Sequence, residues 1–201
     1  AWDGHRVLAC AMGKETRIVS ADFREWIDHF PTIVTALQKL GRRDVVIEGF
    51  LCALGPEGLP SFDLLRHHVE TKAQRVALAC IDLHRLDGED LREIGLDERR
   101  KRLAGLIAGA GDFVFSAPLD GPLDAILEGV RRLGARGILV RGEHWIALST
   151  TDEPIAIDRS LSASPKATNR DKLMYPRDGL AKADVIAYYK DIAPVLLPYL
   201  E

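Results

Sequence analysis

The sequence predicts an α+β fold built on antiparallel sheets with flanking helices, ending in a short helical C-terminal tail. Three observations carry that expectation. Residues 5–12 and 15–20 flank Gly13-Lys14, a hairpin signal. Residues 75–83, Arg-Val-Ala-Leu-Ala-Cys-Ile-Asp-Leu, form an apolar run of the kind buried on both faces of a sheet. Finally, single helical periodicities interrupt paired strands without the regular strand-helix alternation of a parallel α/β fold.

Taken in order, the opening hairpin leads to Pro31, which a first helical turn tolerates. Ile33, Val34, Leu37 and Leu40 then recur at helical spacing until Gly41. A strand begins at Val45 and runs through Cys52 to a turn at Gly55-Pro56-Glu57-Gly58. A short helix over 62–68 precedes the 75–83 strand, which ends at Leu86-Asp87-Gly88. Helices are expected over 97–108 and 122–133, with a short strand at 113–115 between them and a last hairpin over 136–148 that turns at Gly142-Glu143. From about 150 the chain turns rich in Ser, Pro and charge, the texture of a linker. The expected organisation is a domain over 1–149, a linker over 150–165 and a fragment over 166–201. In that fragment a turn at 175–179 precedes a helix over 182–193.

At 201 residues, 47% hydrophobic and 28% charged, the chain falls in the soluble globular class. It lacks the roughly 20-residue apolar run that spans a bilayer, Ala1 to Arg6 reads as no secretory leader, and a cytoplasmic location without membrane partners is expected. The chain opens on Ala1 inside a strand and a motif, so further residues are expected upstream. Cys10, Cys52 and Cys80 lie in apolar segments without a Cys-x-x-Cys pair and read as buried reduced thiols. The net charge of −3 argues against extensive sequence-independent DNA binding. Nucleic-acid contacts are therefore expected to be local, and the basic run Arg99 to Arg102 reads as a solvated helix face.

Five segments carry the chemical signal: Ala1-Trp2-Asp3-Gly4-His5-Arg6; Glu48-Gly49-Phe50 followed by Pro60-Ser61-Phe62; Ile81-Asp82-Leu83-His84-Arg85-Leu86-Asp87-Gly88; Gly134-Ala135-Arg136-Gly137; and Trp145-Ile146-Ala147-Leu148-Ser149. In this order, over about 150 residues, they resemble the nucleotidyltransferase motifs of ATP-dependent DNA ligases, and specifically of bacterial DNA ligase D, the protein of non-homologous end joining. The resemblance implies a nucleotidyltransferase (ligase adenylation-domain) fold. It also implies a lysine, adenylylated by ATP, at the position of Ala1; alanine has no nucleophile to offer. The family arginine that contacts the nucleotide matches Arg6, and Asp3 matches the turn-forming acid. A family glutamate falls at Phe50, with Glu48 keeping a carboxylate two residues earlier on the same strand face. The base-stacking aromatic falls at Ile81, which offers no π face. The metal-holding glutamate falls at Arg136, a charge reversal that cannot ligate Mg²⁺. The two phosphate lysines fall at Ala147 and Ser149.

Downstream, Thr168 to Asp184 resembles the opening of the ligase D primase-polymerase domain. Its two lysines for a DNA 5′-phosphate match Lys172 and Lys182. The expectation is an end-joining family protein whose ligase domain is catalytically inactive, with no catalytic residue, Asp3, Arg6, Glu48 and Ile81 as remnants of nucleotide binding, and no metal ligand. No cofactor is expected, or ATP and Mg if activity or nucleotide binding remains. DNA ends and repair proteins are the expected partners, with nucleoid association if DNA is bound. The alternatives are a non-catalytic module for DNA ends or a repair partner, an active ligase drawing its lysine from elsewhere, and a decayed product without a role.

Overall fold

The computed structural model describes residues 1–42, 44–72, 74–141, 145–151, 155, 161, 173–175 and 180–181. The chain divides into two compact units, Ala1–Ala163 and Ser164–Glu201.

In the first unit, β1 (His5–Met12) and β2 (Glu15–Ser20) close the expected hairpin around Gly13, whose φ of +61° suits a residue without Cβ. Helix α1 (Pro31–Lys39) follows, with proline in its first turn and Ile33, Ala36 and Leu37 buried. Strand β3 (Val45–Leu54) lies between β1 and β5 (Val76–Leu86), antiparallel to both. Between them come the two-residue strand β4 (Pro60–Ser61) and helix α2 (Phe62–Thr71). Three residues longer than expected, α2 ends at Lys72 in a left-handed conformation, φ +59°. Next come β6 (Glu89–Asp90), α3 (Leu96–Leu106), β7 (Phe113–Phe115) and α4 (Leu123–Arg132). Strands β2-β1-β3-β5-β6 form a sheet in that order, with β4 beside β3 and β7 beside β5, seven strands in all. The antiparallel expectation has one exception: β7 runs parallel to β5, because α3 carries the chain back across the sheet before β7 pairs. Strands β8 (Gly137–Arg141) and β9 (Trp145–Ser149) pair as a separate two-stranded sheet; the turn expected at 142–143 lies outside the described residues.

The large sheet is buried on both faces. On one side Val7, Ile18, Val45, Ile47, Leu51, Leu78 and Leu83 meet Trp26, Phe30, Ile33, Leu37 and Leu103 in the main core. On the other, Phe50, Cys52, Ala79 and Ile81 form a smaller cluster against Trp2, Leu139 and Trp145. This double burial explains the unbroken apolar runs of β3 and β5. The three cysteines are free and buried as expected, and burial pushes the Cys80 thiol up to about 12.

Two glycines of the motif segments hold sites where no side chain fits. A Cβ on Gly49 would stand 2.6 Å from the Ala79 carbonyl oxygen, and one on Gly137 would stand 2.1 Å from that of Leu148. Backbone obstructs both, so the close strand approach demands glycine whatever the chemistry around it.

The segment expected as a linker contributes two side chains to the first unit. Thr150 is buried with its hydroxyl donating to the Ala135 and Arg136 carbonyls, and Leu161 joins the main core. In the second unit, β10 (Leu173–Tyr175) pairs antiparallel with β11 (Leu180–Ala181). The helix expected over 182–193, and Lys172 and Lys182, lie outside the described residues. Among the described residues no helix is long and apolar enough to cross a membrane.

Candidate functional site

The motif segments converge on the face of the large sheet that carries the smaller apolar cluster. Asp3 precedes β1, and its carboxylate accepts the backbone N–H of Phe62 at 3.0 Å, at the N-terminus of α2. The helix dipole favours a negative charge there. Ser61 caps the same helix, its hydroxyl accepting from the Leu64 N–H. The Arg136 guanidinium stands 3.6 Å from the other Asp3 oxygen.

On β3, Glu48 and Phe50 point to the same face and are both buried, at 4% and 1% exposure. Their surroundings differ sharply. Phe50 packs with Cys52, Ala79 and Ile81. The Glu48 carboxylate accepts the Arg6 Nε–H at 2.9 Å on one oxygen and faces His84 Nε2 at 3.0 Å with the other. His84 Nε2 also lies 3.7 Å from Asp82, whose two oxygens are held by Arg99 at 2.8 and 2.7 Å. The result is a chain of five charged groups, Arg6, Glu48, His84, Asp82 and Arg99.

Two irregularities in the β3–β5 register assemble this chain. Opposite the successive residues Val46, Ile47, Glu48 and Gly49 stand Arg85, Leu83, Asp82 and Cys80, so His84 and Ile81 are extra residues without a partner. Each extra residue is a bulge that reverses the alternation of β5. Ile81 can therefore join the apolar cluster while its neighbour Asp82 reaches the same side of the sheet beside Glu48.

The electrostatics follow from this packing. The Asp82 and Glu48 carboxylates beside it raise the His84 imidazole to about 9, so it is cationic at neutral pH. Burial works to raise the Asp82 carboxyl, but the Arg99 hydrogen bonds and the nearby His84 outweigh it and hold the group well below the usual carboxylate range. Glu48 is lowered in the same way, burial being outweighed by the His84 hydrogen bond and Arg6.

The run Arg99 to Arg102 differs from the solvated face expected of it. Arg99 is 7% exposed and bound to Asp82, while Arg100 donates to the carbonyls of Ile81 and Ser116 and lies over the Phe115 ring. Both arginines satisfy groups of β5 and the segment after β7, which requires α3 to turn them inward. Arg102, paired with Glu98 and Glu89, keeps the expected exposed role.

Of the positions singled out in the sequence, Asp3 and Arg136 meet, as do Arg6 and Glu48. Phe50 and Ile81 share the apolar cluster. Ala147 and Ser149 lie on β9, with Ala147 opposite Leu139 and Ser149 opposite Gly137. His84 and Arg99 were missed, because strand alternation alone places His84 without reference to Glu48. The signal that could have exposed them is a charged trio, Asp82, His84 and Arg85, ending an otherwise buried strand.

Sequence comparison gives 32% identity over 159 residues with the multifunctional non-homologous end joining protein LigD of Pseudomonas aeruginosa, covering 73% of this chain and 19% of that protein. The chain belongs to the LigD family. The LigD of Mycolicibacterium smegmatis is 31% identical over 141 residues, covering 70% of this chain and 18% of its own length. The chain thus spans about a fifth of the length of these LigD relatives. No family model matches the chain. Among solved structures, the ligase domain of Mycobacterium tuberculosis LigD superposes with a TM-score of 0.62 at 24% identity, over 77% of this chain and 49% of that one. A mycobacterial DNA ligase D complexed with ATP and MES gives 0.61 at 26%, over 77% and 48%. The fold of this LigD-family chain is that of the ligase domain.

The side chains present do not suit the magnesium that resemblance to an ATP-dependent ligase implies. Magnesium needs oxygen donors in near-octahedral array. The two positions implied as carboxylates hold Phe50, enclosed in hydrocarbon, and Arg136, whose positive charge faces Asp3.

Proposed function

We propose that this chain is a ligase-domain scaffold of an end-joining protein that forms no covalent adenylate. The observation that carries the reading is Phe50. Where the ligase resemblance implies a carboxylate, a phenyl ring 1% exposed packs against Ile81 and Cys52. A carboxylate could be restored there only by dismantling that packing. The Arg136–Asp3 contact adds a fixed cation where a metal would need an anion, and Ala1 supplies no amine side chain for attack on the α-phosphorus. In this reading the chain does not react with ATP and Mg²⁺, and its role is to bind at DNA ends beside the other parts of the repair protein. The full chain incubated with α-labelled ATP and Mg²⁺ is expected to carry no acid-stable label; a labelled band sinks the reading.

The second unit favours a companion reading, in which the chain engages a DNA 5′-phosphate. There residues 168–184 resemble the opening of the ligase D primase-polymerase domain, whose two phosphate-binding lysines match Lys172 and Lys182. Lysine ammoniums are mobile point charges suited to a terminal phosphate. Tighter binding of 5′-phosphorylated than 5′-hydroxyl duplex ends, with the difference abolished by Lys172→Ala, is the expected result. Equal affinity for both ends contradicts it.

A further inference from the structure

The bulged segment of β5 brings Asp82 and His84, which the ligase resemblance leaves without a role, beside Glu48 of β3. We propose that Glu48, Asp82 and His84 form a binding site for a single divalent transition-metal ion of the zinc class, held by three protein ligands and open to the adjoining cleft.

The geometry is that of a ligand set. One potential ligand atom from each residue lies within 4.8 Å of the other two. His84 Nε2 lies 3.0 Å from Glu48 Oε2 and 3.7 Å from Asp82 Oδ2. Ligands about 2.0–2.2 Å from a zinc ion stand roughly 3.0–3.5 Å from each other, so small movements of three side chains complete the site.

Lone-pair accounting leaves room for the ion. A carboxylate offers about four acceptor positions. Among the described residues, Glu48 uses its Oε1 for the Nε and Nη2 groups of Arg6, which leaves Oε2 to His84. Asp82 spends Oδ1 on Arg99 Nε and the Leu83 N–H, and among the described residues its Oδ2 accepts a hydrogen bond from Arg99 Nη2 only. One acceptor position therefore remains on the inward oxygen of each carboxylate. Arg6 and Arg99 act as the outer partners that orient ligating carboxylates in metal sites.

The donor set decides which ion fits. A metal would replace the Nε2 proton, which leaves to solvent, and the neutral imidazole would donate its lone pair to the ion. Imidazole with two carboxylates suits zinc, cobalt or manganese, whereas magnesium and calcium prefer an all-oxygen shell. The remaining coordination positions are accessible: Glu48 and His84 line a cleft of about 350 Å³ with Arg6, Leu8 and Val19. Bulges aim side chains in this way near functional sites, at the expense of regular pairing.

The site is distinct from Phe50 and Arg136, so its fate is independent of the adenylation reading. The test uses the full chain, purified without a histidine tag, stripped with chelator and titrated calorimetrically with zinc chloride. One zinc per chain is expected, with binding weakened at least ~10-fold by His84→Ala, the loss that even an outer-shell substitution produces. His84→Gln, which preserves bulk and polarity but removes the imidazole, should behave likewise, with both variants checked for native circular dichroism. Cobalt chloride should give a visible d–d absorption band that His84→Gln abolishes. Absence of saturable zinc binding, unchanged affinity in the folded His84→Gln protein, or equal affinity for magnesium chloride overturns the proposal.

Discussion

Asp82→Ala is expected to destabilise the protein by about 3–5 kcal/mol, the usual result of removing one partner from a buried ion pair. The Arg99 side chain is 9% exposed and that of Asp82 only 1%, so deletion leaves a largely buried guanidinium without its carboxylate, with the Ile94 carbonyl still accepting from it. It also removes the carboxylate that stands 3.7 Å from His84 and leaves the Leu83 N–H without the Asp82 oxygen it donates to. Urea denaturation monitored by circular dichroism measures the loss directly. A change under about 1 kcal/mol, the value typical of an exposed pair, would show that the pair is solvated in solution. The double variant Asp82→Leu with Arg99→Met should recover most of the stability, because it removes both desolvation penalties together.

Stability should also fall on the alkaline side, and His84 sets the window. Its pKa in the fold is about 9, above the unfolded value of 6.5. The imidazolium therefore contributes fully below about pH 6.5, and the contribution fades as pH rises through 9. A shift of this size corresponds to about 2–3 kcal/mol, allowing for the partial exposure of the ring. Glu48 and Asp82, both held low, act in the opposite sense. Their stabilisation is present above the ordinary carboxylate range near pH 4 and disappears as pH falls through their lowered values. Denaturation of chelator-treated protein between pH 5 and 10 should show a plateau near pH 5–6.5 and a decline above it. His84→Ala should flatten that decline, and an alkaline slope unchanged in the variant would assign the effect to other groups.

Secondary structure was legible because each element is written in local terms. The β1–β2 hairpin follows from Gly13-Lys14 between strand-like runs, α1 from Pro31 and its apolar spacing, and α4 from the periodicity of 122–133. The need for glycine at 49 and 137 became visible only in the structure, where the Ala79 and Leu148 carbonyls stand against them. What escaped was anything that depends on register. The five-group charge chain exists only because His84 and Ile81 are unpartnered in the β3–β5 ladder. Arg99 and Arg100 read as a solvated basic run until the inward turn of α3 places them against β5.

By itself, then, the sequence determined the order and type of the elements, the three buried thiols, and the identities Ala1, Phe50 and Arg136 at positions of the ligase-like motifs. Only the tertiary structure decided that Phe50 is sealed in hydrocarbon, that Arg136 faces Asp3, and that Glu48, His84 and Asp82 converge. The division has a physical cause. Propensity and periodicity act over neighbouring residues, whereas a bulge shifts every later side chain across the sheet and reveals itself only when the partner strand is in place.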